Sequence, residues 1–274
     1  MTTVAVVIPT YDRAALVERA VASVAVQTRA ADEIVVVDDG STDGTAERLR
    51  SAFPEVTVLQ TENRGVSAAR NHGIRSSSGD WIAFLDSDDE WRPEKLEAQL
   101  AALAAEPAYR LCHCDEIWIR DGRRVNPRRI HRKYGGRIYA HCLPRCAISP
   151  SAAMVARSLF DDVGLFDESL PACEDYDLWL RVCVREPVLY VDRPLVVKYG
   201  GHGDQLSRTV QALDRYRIRA LVKMLESSAL DSDDRRATIE MLHHKIEVYA
   251  AGAGKRGRES EVAGLERLRH RFPL

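Results

Sequence analysis

Apolar and polar positions alternate in blocks along the first 107 residues. Val4–Ile8, Glu33–Val37, Val56–Gln60 and Trp81–Leu85 are short, almost wholly apolar runs rich in β-branched and aromatic residues. A strand covered on both faces has no solvent side and so shows no alternation, which makes these runs strands of a buried parallel sheet. Between them, 14–27, 45–51, 67–75 and 94–105 have helical length and spacing, with Thr42, Asp43 and Pro93 as start signals. The order βαβαβαβ predicts half of a Rossmann-like, doubly wound α/β fold over residues 1–107.

The second half, 108–207, is less regular. Tyr109–Arg120 reads as a strand, Asp121-Gly122 as a hairpin turn and Arg123–Val125 as the start of the return. Ser151–Val155 is expected to rejoin the sheet, Tyr176–Arg185 to be a helix and Val188–Val197 a strand. Residues 208–274 carry a helical pattern broken at Asp231-Ser232-Asp233, a C-terminal extension of two or three helices.

Composition narrows the class. Hydrophobic residues are 45% and charged residues 29% of the 274, as in globular proteins with a packed core. Lys and Arg total 39 against 41 Asp and Glu, so no global field draws the chain to nucleic acid. The start has no signal-peptide pattern, and no apolar stretch approaches the ~20 residues of a bilayer span. A cytoplasmic protein with six reduced, mostly buried cysteines is expected. Arg123, Arg124, Arg128, Arg129, Arg132 and Lys133 form a basic run. Its plain reading is solvated surface; its sharper one is contact with anionic lipid, hence peripheral attachment to the membrane's inner face, or with a phosphorylated acceptor.

Three motif matches fail on context. Asp39–Gly44 has calcium-loop offsets, but Arg50 stands where a bidentate Glu is needed. Gly252–Gly257 spells a dinucleotide fingerprint after a helix instead of a strand, so it reads as a helix stop. Cys112-His113-Cys114 lies within a predicted strand, which sends the thiols to one face and the imidazole to the other, against a zinc site.

In open α/β sheets ligands bind at the carboxyl ends of the strands. There this chain carries Pro9-Thr10-Tyr11-Asp12, Asp38-Asp39-Gly40-Ser41, Glu62-Asn63-Arg64-Gly65 and Asp86-Ser87-Asp88-Asp89. Asp86 and Asp88, two apart in extended chain, aim both carboxylates to one side, and a hard divalent cation on a diphosphate would relieve their repulsion. A carboxylate at the second tip suits a nucleobase N–H, and Tyr11 offers a ring for stacking. Glu174, Asp175 and Asp177 crowd one helix start beyond what capping needs, and His202 lies in a loop too glycine-rich for a core.

Together, Val7–Tyr11, Val36–Asp43, Gly65–Asn71, Phe84–Trp91 and Glu174–Arg181 resemble the family 2 glycosyltransferases of GT-A fold, in the family's order, over about residues 4–207. The resemblance implies that Pro9, Thr10 and Tyr11 line a nucleoside pocket, Asp39 holds the base and Arg70 sits beside them. Asp86 would face the ribose beside Ser87, also expected at the nucleotide. Asp88, with His202 approaching, would hold Mn²⁺ or Mg²⁺, and Asp175 would be the catalytic base. Asp12 departs from the usual Asn, and Gly200-Gly201 precedes His202 where a basic residue is commoner.

The implied reaction is an inverting transfer from a nucleotide sugar, UDP-linked by preference, to a hydroxyl on a saccharide, lipid-linked saccharide or small molecule, in cell-surface polysaccharide or glycoconjugate synthesis. Two alternatives compete. A nucleotide-sugar-binding protein without turnover would keep the pocket, although Asp88 and Asp175 are both present. A haloacid-dehalogenase-type phosphohydrolase would need Thr two residues beyond Asp88, where this chain has Glu90.

Overall fold

The computed structural model describes residues 2–201, 210 and 212–274. The first half is laid out as the pattern predicts: β1 (Val4–Thr10), α1 (Ala14–Ala25), β2 (Glu33–Asp38), α2 (Thr45–Ala52), β3 (Thr57–Gln60), α3 (Val66–Ser76) and β4 (Trp81–Phe84). These four strands are parallel in the order β3-β2-β1-β4. Val4, Val6 and Ile8 of β1 pack on one face with Val17 and Val21 of α1, whereas Ala5 and Val7 face the other with Ile74 of α3. That is the period-two side-chain alternation of a strand buried twice over. β3 corrects the expectation of full burial: it is the sheet edge, and none of its residues is buried.

Beyond β4 the chain forms β5 (Glu90–Trp91), α4 (Lys95–Ala105), β6 (Leu111–Arg120), β7 (Arg123–Val125), α5 (Tyr139–Cys142), β8 (Met154–Ala156), α6 (Arg157–Val163), α7 (Glu174–Cys183) and β9 (Leu189–Gly200). Asp121 and Gly122 both take left-handed φ, 49° and 72°, as a tight hairpin between β6 and β7 requires. β8 runs antiparallel between β4 and β6, and the sheet continues through β9 to β5. The pairing of two-residue β5 with distant Val196 and Val197 is a non-local event, and nothing in the local pattern predicts it. Because β5 follows β4 after residues 85–89, that acidic loop joins the middle of the strand path to its β5 end.

Three helices close the described chain, α8 (Asp214–Glu226), α9 (Ser232–Gly254) and α10 (Glu259–Arg271). Ile218, Leu221, Leu242 and Ile246 share one core cluster with Phe84 of β4 and Trp179 of α7. The glycine-rich 252–257 stretch ends α9, as its context indicated. No helix among the described residues is long and apolar enough to cross a membrane.

The cysteines of β6 lie as strand geometry dictates. Cys112 and Cys114 belong to the cluster against α4, while His113, fully buried, places Nε2 2.8 Å from the Tyr134 carbonyl. A carbonyl only accepts, so Nε2 carries the proton and Nδ1 is left without a hydrogen-bond partner among the described residues. Burial, then the charge of Lys133, lowers the imidazole to about 4. The unfolded chain therefore takes up a proton between pH 6.5 and 4 that the fold resists, so stability present above pH 6.5 is lost on acidification. We expect urea unfolding to give a value about 2–3 kcal/mol lower at pH 4.5 than at pH 7 from this group, and His113→Gln to remove that share of the slope.

Candidate active site

At the tips of β1 and β2 the aspartates brace loops. Asp38 Oδ1 accepts from the Ser41 N–H at 2.9 Å. Asp39 accepts from the Arg64 N–H at 2.9 Å and the Gly65 N–H at 2.8 Å, which ties the β2 tip to the start of α3. Burial outweighs these bonds and raises the Asp39 carboxyl above its ordinary value. Asp12 adopts φ 46°, a left-handed turn that Asp and Asn tolerate, and its carboxylate accepts from the Thr42 N–H at 2.7 Å. Pro9 pairs with Val37 within the sheet, and Tyr11 next to it is 47% exposed. Thr10 Oγ1, Asp38 Oδ2 and Ser67 Oγ are buried with no hydrogen-bond partner among the described residues.

The loop between β4 and β5 gathers three carboxylates. One oxygen each of Asp86, Asp88 and Asp89 lies within 4.8 Å of the others, an all-oxygen set suited to a hard divalent cation. Arg13 Nη1 stands 3.2 Å from Asp88 Oδ2. Asp89 is fully enclosed, accepting from Ser151 Oγ at 2.7 Å, Lys198 Nζ at 3.0 Å and the Tyr199 N–H at 3.1 Å. Burial raises its carboxyl to about 7; Lys198 opposes this, while Asp86 and Asp88 add to it. Ser151 Oγ also accepts from the Asp86 N–H at 3.1 Å, and Ser87 between the two is buried.

Arg70 joins this loop to the later half. α3 can lie against the sheet because Gly73 has no side chain: a Cβ there would meet Val7 Cγ1 at 2.4 Å. One turn earlier, the Arg70 guanidinium reaches Asp86 Oδ1 at 2.7 Å and Glu174 Oε1 at 2.6 Å and is 3% exposed. Burial works against its charge, but Asp86 and Glu174 outweigh that and hold it above the usual arginine value. For Asp86 burial is likewise the largest influence, yet Arg70 and then Lys198 hold its carboxyl low. Asn71 secures the same approach, its amide bonding both the N–H and the C=O of Phe166.

Cys173, at φ 62°, turns the chain into α7. A left-handed residue without glycine's freedom is a local cost, here incurred where three acids start a helix. Asp175 Oδ1 accepts from the Tyr176 N–H at 2.7 Å, and Cys146 Sγ lies 3.0 Å from Oδ2. Burial, then the Asp175 charge, pushes the Cys146 thiol well up, so it remains an S–H donor. Asp177 has a different fate, paired with Arg181 at 2.8 Å and Lys223 at 3.0 Å within the helical layer. His202 lies outside the described residues.

The structure thus brings Asp86, Ser87, Asp88, Arg70 and the start of α7 together, with Pro9, Thr10, Tyr11 and Asp39 on the neighbouring tips. Arg70 bonds Asp86 and Glu174, while the oxygens of Asp39 go to the 61–65 loop. Sequence reasoning weighed Cys146 only as a zinc ligand with His141-Cys142, and passed over Lys198, Ser151 and a separate part for Glu174. Each acts across more than fifty residues or through a partner on another element, so no local pattern marks it, except that Glu174 stood in an acid cluster already too large for a cap.

A curled sheet with parallel β3-β2-β1-β4 and an acidic loop beyond β4 is the arrangement of the GT-A fold. A sequence model described as Glycosyl transferase family 2 matches residues 5–164, and the chain belongs to that family. An uncharacterized glycosyltransferase of Rickettsia felis is 31% identical over 198 residues, 71% of this chain; the match spans only 32% of that relative's length. Among solved structures, S. aureus TarS 1–349 in complex with UDP-GlcNAc superposes with TM-score 0.71 at 23% identity, covering 88% of this chain and 72% of that one. The mannosyltransferase PcManGT from Pyrobaculum calidifontis, in complex with GDP-Man and Mn²⁺, gives 0.63 at 18% identity, covering 97% and 79%.

Removing one partner of a buried ion triad strands the others. Arg70→Met is therefore expected to lower unfolding free energy by about 3–5 kcal/mol in urea titrations. Adding Glu174→Gln should restore part of that loss, because one stranded carboxylate is then neutral.

Proposed function

We propose that this enzyme transfers a sugar from a nucleoside diphosphate donor, UDP-linked by preference, to a hydroxyl acceptor with inversion at the anomeric carbon, as a step in polysaccharide or glycoconjugate synthesis. The observation that carries the reading is the carboxylate group of Asp86, Asp88 and Asp89 tied through buried Arg70 to the start of α7, which bears Asp175. The UDP-GlcNAc and the GDP-Man with Mn²⁺ bound by the two structural neighbours point the same way.

In this reading Pro9, Thr10 and Tyr11 line the nucleoside pocket, with Tyr11 stacking on the base. The buried, unpartnered Thr10 Oγ1 and Asp38 Oδ2 at that tip are polar atoms that a ligand would satisfy. Asp39 holds the 61–65 loop through its amides and offers its remaining lone pairs to the base. Asp86, aimed by Arg70, faces the ribose beside Ser87. Asp88 would hold Mn²⁺ or Mg²⁺ with the neighbouring carboxylates, and the oxygen-only donor set fits either ion. A bound cation supplies charge that stabilises the departing diphosphate.

Asp175 acts as general base, taking the acceptor's proton as its oxygen bonds to carbon. The Cys146 thiol and the Tyr176 N–H each occupy one carboxylate oxygen and orient the group, leaving a lone pair for that proton.

Calorimetry of UDP binding tests the donor half: affinity should rise at least about tenfold with Mn²⁺ or Mg²⁺, and Asp88→Asn should abolish that gain. Equal affinity with and without metal would count against the reading. Asp175→Asn should keep donor affinity and lose transfer by about 10²–10⁴-fold, read from product formation in a panel of nucleotide sugars. An active Asp175→Asn enzyme would remove that residue from its role.

A further inference from the structure

Between Arg120 and Ile148 the chain has eight arginines and Lys133 against a single acid, Asp121. Lys133 is buried in an ion pair with Glu116 at 3.1 Å. Arg120, Arg128 and Arg132, by contrast, are exposed and meet no carboxylate among the described residues. They converge in space. The His131 N–H donates to the Arg128 carbonyl at 2.8 Å, its ring lies against Trp118, over which Arg120 stands, and Arg132 follows it in the chain. Rings interleave with them: Trp118 lies 5.0 Å from His131, Tyr134 lies 4.5 Å from His141, and the guanidinium groups of Arg120 and Arg132 stand 5.7 and 5.5 Å over Trp118 and Tyr134.

This ledge adjoins the proposed base. Residues 145–147 lie between them: Arg145 donates to the Ile130 carbonyl, Lys133 Nζ reaches the Ala147 carbonyl at 3.4 Å, and Cys146 Sγ meets Asp175 Oδ2 at 3.0 Å. A ligand that presents a hydroxyl to Asp175 therefore has the ledge beside it. Unpaired guanidinium groups favour phosphate and carboxylate, and aromatic faces between them suit sugar rings. Ile130 is the one large aliphatic exposed in this stretch, and none of its helices exceeds four residues, too little apolar surface to embed in a bilayer.

We propose that the ledge around Arg120, Arg128 and Arg132 is the acceptor site, and that the acceptor is an anionic saccharide chain bearing phosphate or carboxylate groups. The proposal rests on Asp175 being the base. It explains why a chain of net charge −2 keeps so many unpaired cations on one segment: the field is local and faces the ligand.

The test uses the whole enzyme with UDP and Mn²⁺ present. Fluorescently labelled oligogalacturonate and oligo(glycerol phosphate) serve as anionic probes, a maltooligosaccharide of equal length as the neutral one, and phosphatidylglycerol vesicles as the lipid surface. We expect the anionic probes to bind at least about tenfold more tightly than the neutral one, and the triple substitution Arg120→Gln, Arg128→Gln, Arg132→Gln to remove about tenfold of that affinity. With the nucleotide sugar that the donor panel identifies in place of UDP, bound anionic probe should also change the rate at which that donor is consumed, by transfer to the probe or by shielding the sugar from water. The proposal is overturned if neutral and anionic probes bind alike, if the triple variant binds unchanged, if saturating probe leaves donor consumption untouched, or if only vesicles bind. UDP affinity with Mn²⁺, measured on every variant, checks folding. Loss of that metal-linked affinity in the unmodified enzyme would mark failure of the functional reading itself, separately from failure of the ledge.

Discussion

A guanidinium buried to 3% exposure is tolerated only where its charge is answered, and Arg70 is answered twice, by Asp86 from the β4 tip and by Glu174 from the start of α7. The planar fork of arginine suits this; the compact ammonium of lysine would reach one carboxylate or the other. The consequence is geometric. Two segments separated by nearly ninety residues of chain share one cation, so the acidic loop and the helix bearing Asp175 hold a fixed relation before any ligand arrives. The close seat of α3, permitted by Gly73, sets where that cation stands.

Around this anchor negative charge is concentrated and only partly compensated. Lys198 neutralises Asp89 and approaches Asp86 at 3.9 Å, while Arg13 reaches Asp88. Crowding here is strain that Asp89 shows: burial, with Asp86 and Asp88 adding to it against Lys198, raises its carboxyl to about 7, whereas, against burial, Arg70 and Lys198 hold Asp86 low. In the proposed reading a divalent ion relaxes it, which makes metal and donor binding mutually supportive. The unpartnered polar atoms at the β1 and β2 tips belong to the same logic, since the fold has left them to be satisfied by what binds.

The first half of the chain was legible because its signals are local. Four apolar runs with helices between them dictate a parallel sheet, so the place of Thr10, Asp39 and Asp86 at or just beyond strand tips was legible before any coordinates. The second half resisted because its decisive contacts are remote. β5 exists only by pairing with Val196 and Val197, and Lys198 finds Asp89 across 109 residues. β3 misled in a different way: its run was read like its neighbours', although Thr57 and Gln60 break the apolar pattern and are the exposed positions of this edge strand. Asp177 looked like a companion of Asp175, yet two residues along a helix turn a side chain by about 200° and hand it to Arg181 and Lys223 instead.

The acidic loop between β4 and β5 has one more implication, for how such enzymes diversify. It is stitched at one end to the strand that continues the nucleotide-side sheet and at the other to a strand that pairs only with β9. A recombinant exchanging everything after residue 107 would inherit a foreign partner for β5 and a foreign counter-ion for Asp89. Swapping in a new acceptor half by simple fusion would thus disturb the donor side, whereas rewriting the hairpin at Asp121-Gly122 and the segment that follows would not. On the proposed reading, the groups that meet the acceptor lie on that periphery, where they could be altered without unpicking the stitch.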